Sequence, residues 1–250
     1  MHALLNLLAA IALLVWGTHI VRTGVLRVFG ANLRQVLRAS VDRRSRAVLA
    51  GVGVTGVLQS STATALLVSS FVGQGLITTS AALAVMLGAD VGTAMMVQFF
   101  SLNLTFLSPL LIVAGVVTYL SRRNEAIGQA GKIALGLGVM ILALQLIVQA
   151  TAPLTQAVGI QVLFAQLTGD VLLDVLIGVL AAIASYSGLA VVLLTATLAA
   201  SKVITVDVAL AIVLGANLGS GLLAVLTTLK AGPLVRRVPL GNLLFKLIGV

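Results

Sequence analysis

Four polar residues in a row, Gln59-Ser60-Ser61-Thr62, interrupt the otherwise apolar run from Ala47 to Val72. One amide and three hydroxyls offer uncharged donors and acceptors, which can replace the hydration shell of an ion without burying a fixed charge. A helix restarting at Ala63 would point its N-terminal amides back at this cluster and favour an anion, while the last carbonyls of the preceding helix suit a small cation. One apex can therefore serve both ions. A second polar break, Ser185-Tyr186-Ser187-Gly188, lies in the apolar stretch from Val171 to Ala200. A single carboxylate, Asp90, stands in the run from Ala81 to Phe100, within Gly88-Ala89-Asp90-Val91-Gly92-Thr93. Inside a membrane such a group costs about 2.5 to 3.5 kcal/mol on insertion scales, so it faces a cavity, an ion or a proton path. Its counterpart by motif is Asn217, in Gly215-Ala216-Asn217-Leu218-Gly219-Ser220, and Asp90 and Asn217 are the candidate cation-site residues. Two plainer readings stay open. Ser and Thr also hydrogen-bond across packed helices in membranes, and glycines four apart let helices approach closely.

The elements that must position these residues are membrane helices. The hydrophobic share of 60% and charged share of 8% lie far from a soluble domain, where about a quarter of residues are charged. Leu4 to Val21, Thr78 to Phe100, Thr105 to Leu120, Ile133 to Ala150 and Val203 to Leu229 are each near or above the roughly 18 apolar residues of a spanning helix. These runs are continuous, whereas a transmembrane β-barrel shows alternation over segments of about 10 residues. The expected fold is an all-α integral membrane protein. Leu4 to Val15 lacks a preceding basic region and a following cleavage site, and reads as a first membrane helix, not a signal peptide.

The chain repeats itself. The stretch from Gly51 to Thr93 aligns with that from Ile177 to Ser220, at an offset of 126 residues over the first polar break and 127 over the second motif, with one residue inserted between. Each is preceded by a further apolar helix. The seven arginines Arg22, Arg27, Arg34, Arg38, Arg43, Arg44 and Arg46 should be cytoplasmic by the positive-inside rule. If 47–73 and 171–200 are re-entrant hairpins, thirteen of the fifteen basic residues, including Arg122, Arg123, Lys132, Lys230, Arg236 and Arg237, fall on the cytoplasmic side. Thr151 to Asp170, with no Lys or Arg, is then external, and Lys202 is the clear exception. Each half crosses three times, so the second is inverted relative to the first, a common secondary-transporter plan. The expected organisation is a first repeat over 1–125 and an inverted second repeat over 126–250, each with a spanning helix, a re-entrant helical hairpin and further spanning helices. Leu26 to Val41 reads either as a helix on the cytoplasmic membrane surface or as a solvated loop. Leu240 to Val250 is too short to cross, which suggests an incomplete last helix and a fragment of a longer chain.

Several function classes are excluded or unsupported. There are no cysteines, so thiolate chemistry and disulfides play no part. The net charge of +9 sits in segments between apolar runs, where topology predicts it, which argues against nucleic acid as a partner. Gly51-x-Gly53-x-x-Gly56 follows no strand of a βαβ unit and reads as small-residue packing. His2 and His19 are isolated and have no metal-site spacing. Asp170, Asp174 and Asp207 read as solvated carboxylates near the external surface. No catalytic constellation appears, and an enzyme is not expected.

GVLQSSTATALLV followed by MLGADVGTAMMV resembles the sodium/phosphate cotransporter family, whose hallmark is a Gln-Ser-Ser-Ser/Thr motif in each of two inverted repeats, paired with a GANxGT-like motif. The resemblance implies sodium-coupled movement of inorganic phosphate across a lipid bilayer, in a multi-pass protein of the cell membrane. It places phosphate between two apices, Gln59, Ser60, Ser61 and Thr62 in the first half and Ser185, Tyr186, Ser187 and Gly188 in the second. Sodium is the implied coupling ion, with Asp90, Thr93, Asn217 and Ser220 as its candidate ligands, and no organic cofactor is implied. The second half departs from the family pattern: Gly188 loses a hydroxyl and Tyr186 brings bulk with a polar tip. Asp90 replaces the more usual Asn, adding a negative charge that favours a cation or a proton. Other readings are a carrier or exporter of another small oxyanion, or a non-transporting scaffold or sensor with the same fold. Oligomeric state is not legible.

Overall fold

A computed structural model describes residues 2–40, 42–102, 104–121, 125–155 and 170–249. All regular elements among the described residues are helices: α1 His2–Ala39, α2 Arg44–Leu58, α3 Ser61–Gly73, α4 Thr79–Phe100, α5 Leu107–Leu120, α6 Glu125–Thr155, α7 Val171–Ala184, α8 Gly188–Ala200, α9 Val206–Thr228 and α10 Pro233–Ile248. Four carry spans long and apolar enough to cross a membrane, namely Leu4–Ala39, Thr79–Phe100, Glu125–Thr151 and Val206–Thr228. The fifth expected crossing, over 105–120, is the 14-residue helix α5. At 1.5 Å per residue it reaches only about 21 Å. Large apolar side chains such as Leu8, Val113, Leu172 and Leu180 stand exposed around the bundle, a surface that hydrocarbon would cover.

Helix α1 differs from expectation in its length. It runs unbroken for 38 residues through the arginine-rich segment, so Leu26 to Ala39 is neither a separate surface helix nor a loop. Its second half is tied to the bundle: Leu37 is fully buried and the Arg38 guanidinium stacks 5.3 Å from the centre of the Phe71 ring on α3. Cation–π contact and burial together outweigh the solvation that the arginine density alone would favour. Arg236 and Arg237 likewise lie within α10, which starts at Pro233. Arg122, Arg123 and the stretch 156–169 expected outside the membrane lie beyond the described residues.

The segment α2-α3-α4 recurs in detail as α7-α8-α9. Left-handed backbone occurs among the described residues at Gln59, Gly75, Tyr186 and Lys202, which form two pairs 127 residues apart. Ser60 and Ser187 cap α3 and α8, accepting hydrogen bonds from Ala63 N and Ala190 N, and Thr78 and Thr205 cap α4 and α9 in the same way. Leu76 N donates to Phe71 O and Val203 N to Leu198 O, the same C-terminal motif closed by Gly75 in one case and Lys202 in the other. The packing repeats as well. A Cβ at Gly51 would collide with Val85 O, at Gly88 with Val48 O, at Gly178 with Ile212 O and at Gly215 with Val175 O. Main chain therefore touches main chain in both parallel pairs, α2 with α4 and α7 with α9, and only glycine fits. The separation is 127 at every one of these positions, which corrects the sequence alignment. No residue is inserted, Tyr186 is the partner of Gln59, Ser187 of Ser60 and Gly188 of Ser61, and Ser185 falls one residue outside the motif.

Candidate functional site

Each apex is one left-handed residue followed by a helix cap. Gln59 (φ 53, ψ 29) ends α2, and the chain restarts as α3 at Ser61 through the extended residue Ser60. The two short helices fold back on each other, since the Thr55 and Thr64 hydroxyls meet at 2.8 Å across the turn, both fully buried. In the second half the equivalent pair, Ala182 and Val191, packs without polar atoms in a small apolar cluster with Ala216. Ser185 uses its hydroxyl locally, donating to Ala181 O at 2.7 Å and Ser187 O at 3.2 Å. Tyr186 is 59% exposed, so its ring points away from the packed interior.

The halves meet at a cavity of about 420 Å³ lined by Ser61, Asp90 and Thr93 from the first and Gly188, Asn217 and Ser220 from the second. Six of the twelve residues singled out by sequence thus share one space. Thr62 joins them by donating from Oγ1 to Ser220 O at 3.2 Å. Gly188 sits close to α9, where a Cβ would stand 3.1 Å from Ser220 Cβ, so the missing hydroxyl leaves room for helix contact. Gln59, Ser60, Ser185, Tyr186 and Ser187 are outside the cavity lining.

Two charged residues that sequence reading left out complete the site. The Arg22 guanidinium lies between the apices, with Nη1 3.4 Å from both Ser60 Oγ and Tyr186 O. It belongs to the bundle and not to a flanking basic segment. On the other side of the apices, Lys246 of α10 reaches Asp90 Oδ1 at 2.9 Å, and its ammonium also donates to Asn217 O at 3.2 Å and Ser220 Oγ at 3.0 Å. Asp90 Oδ2 is buried and has no hydrogen-bond partner among the described residues. A lone lysine in the apolar stretch from Leu240 was the signal that could have found this pair. Asp174, expected at a solvated surface, is 2% exposed instead.

A family model described as Na+/Pi-cotransporter matches residues 13–149 and 153–248. The chain belongs to this cotransporter family. Its members are transporters, not enzymes, and with four apolar helices of spanning length this chain is a multi-pass membrane protein. Proteins of Escherichia coli strain K12 and Salmonella typhimurium strain LT2, each named "Putative inorganic phosphate export protein YjbB", are 59% identical over 249 residues. These matches cover 100% of this chain and 46% of each relative, so the chain spans about half their length. "Uncharacterized protein YqeW" of Bacillus subtilis is 26% identical over 252 residues, covering 100% of this chain and 81% of its own length. No solved structure matches the chain significantly. The family description includes sodium, and the residues at the cavity have the chemistry for it: Asp90, with an oxygen unpartnered among the described residues, the Asn217 carbonyl and the Thr93 and Ser220 hydroxyls offer hard oxygen atoms of the kind sodium takes.

Proposed function

We propose that this chain is part of a membrane-embedded inorganic phosphate carrier that binds the anion between its two hairpin apices near the bilayer midplane. The observation that carries the reading is Arg22, whose guanidinium contacts both apices at once. Helices α3 and α8 begin beside it, and each N-terminus adds roughly half a positive charge to the same space. A planar guanidinium with spare N–H groups is suited to a phosphate held in two directions. Ser60, Ser61 and Gln59 supply neutral donors, and the buried Gln59 Oε1, unpartnered among the described residues, leaves its amide free to turn toward a ligand.

In this reading the halves are inverted in the membrane and rock against each other to expose the site alternately. The antiparallel packing of α1 on α6, with Gly17 against Met140 and Gly24 against Ile133, supports the inversion. α2-α3 and α7-α8 are re-entrant, each helix being too short to span, and the arginines beyond Arg22 face the cytoplasm. Asp90, Thr93, Asn217 and Ser220 hold the coupling cation, sodium by the family description. The names of the relatives favour outward movement. Ser185 contributes by fixing the turn, since its hydroxyl is bonded to main chain.

Phosphate should raise the thermal stability of the purified full-length protein, and Arg22→Gln should weaken its apparent affinity about tenfold or more, as loss of a charge-assisted hydrogen bond implies. Arg22→Lys should retain part of the response. Equal stabilisation of wild type and Arg22→Gln by phosphate would contradict the anion site.

A further inference from the structure

The cation ligands around Asp90 are already engaged by a cation belonging to the chain. Lys246 is buried, with 1% of its side chain exposed, and an ammonium has three hydrogens to place. All three find oxygen: a carboxylate at 2.9 Å, a hydroxyl at 3.0 Å and a carbonyl at 3.2 Å. Ser220 spends its own proton on Asn217 O at 2.7 Å, so its lone pairs are left for the lysine. That shell, one charged and two neutral oxygens, is what a small hard cation would use, and three of its residues are those assigned above to the coupling ion. Two positive charges at this distance in a space of low dielectric repel strongly, so ammonium and metal ion exclude each other.

The lysine's approach is built into the fold. Its stem passes over Gly221, where a Cβ would stand 3.2 Å from Lys246 Cδ. Helix α10 follows α9 in sequence yet also packs on α3 and α4 of the first half, which carries the ammonium across to Asp90. Asp90 Oδ2 is buried and keeps its lone pairs unpartnered among the described residues. When the lysine withdraws, a whole carboxylate, a carbonyl and a hydroxyl are released together.

We propose that Lys246 is a tethered cation that occupies the coupling-ion site at Asp90, so that its ammonium and sodium hold this site in alternation. The proposal rests on reading Asp90, Asn217 and Ser220 as the cation ligands of the carrier. With the lysine in place the site is neutral and needs no sodium. With the lysine displaced, the carboxylate draws in an ion from solution. Coupling therefore depends on the competition between the two, and sodium binds less tightly than the ligands alone would allow.

The test is the thermal stability of the purified full-length protein, titrated with sodium chloride against choline chloride at constant ionic strength. Lys246→Met should show a sodium-specific stabilisation with its midpoint about tenfold or more below that of wild type. Asp90→Asn combined with Lys246→Met should abolish that response, and Lys246→Arg should behave as wild type. Gly221→Val keeps both charges but crowds the lysine stem, and should move the midpoint in the same direction as Lys246→Met, so the outcome does not depend on one variant folding. The same sodium midpoint in wild type, Lys246→Met and Gly221→Val would overturn the proposal. The readout involves no phosphate: a protein that responds in this way yet carries no phosphate would fail the transport reading and keep this one.

Discussion

Asp90→Asn should destabilise the purified protein by about 3 to 5 kcal/mol in sodium-free buffer, the usual cost of removing one partner of a buried ion pair. The asymmetry of the pair sets the size. Lys246 is 1% exposed whereas the Asp90 side chain is 20% exposed, so losing the carboxylate strands an ammonium with no water to solvate it. Its two remaining acceptors, Asn217 O and Ser220 Oγ, are neutral and do not replace the charge. Lys246→Met should cost less, because the Asp90 side chain is 20% exposed and its carboxylate stays partly solvated. Combining the two substitutions should recover much of the loss, giving a favourable coupling energy in a double-mutant cycle. Chemical denaturation of the four proteins checks this, and an Asp90→Asn protein as stable as wild type would remove the ion pair from the account.

Gly51→Ala and Gly178→Ala should each cost about 3 kcal/mol, the upper part of the range for overpacking, because the atoms in the way are main-chain oxygens and not side chains that can turn aside. The new methyl would meet Val85 O in one half and Ile212 O in the other. Relief requires α2 to move off α4, or α7 off α9, and those are the contacts that hold each apex at the cavity. Gly53→Ala is the control: nothing lies within 4 Å of a Cβ there, and the substitution should be neutral or slightly stabilising. Thermal unfolding of the three variants separates the cases. Similar midpoints for Gly51→Ala and Gly53→Ala would show that the close helix contact does not matter.

Much of this arrangement could be read from local features. Long apolar runs marked the helices, and the Gln59 to Thr62 break marked a real interruption with Ser60 as its cap. Glycine spacing suggested close packing, which holds at Gly51 and not at Gly53. Side-chain identity misled the alignment by one residue, because an offset of 126 sets Ser187 against the motif serine Ser61, while the backbone pairs Tyr186 with Gln59 through their shared left-handed conformation. Arg22 was hidden for a different reason. Nothing in its neighbours distinguishes it from the arginines that follow, and its role arises only where α1 passes two apices that lie 38 and 164 residues further along the chain. Lys246 and Asp90 also meet by tertiary packing alone. A pattern of periods and charges cannot show which distant helix delivers a counter-charge.

Labelled phosphate flux through the full-length protein in proteoliposomes decides whether the protein carries this anion. The expected result is a saturable flux above that of protein-free vesicles, competed by arsenate more than by sulfate, and reduced about tenfold or more by Ser61→Ala through loss of a hydroxyl at the cavity. Flux equal to that of protein-free vesicles in either direction, with and without a sodium gradient, would contradict it.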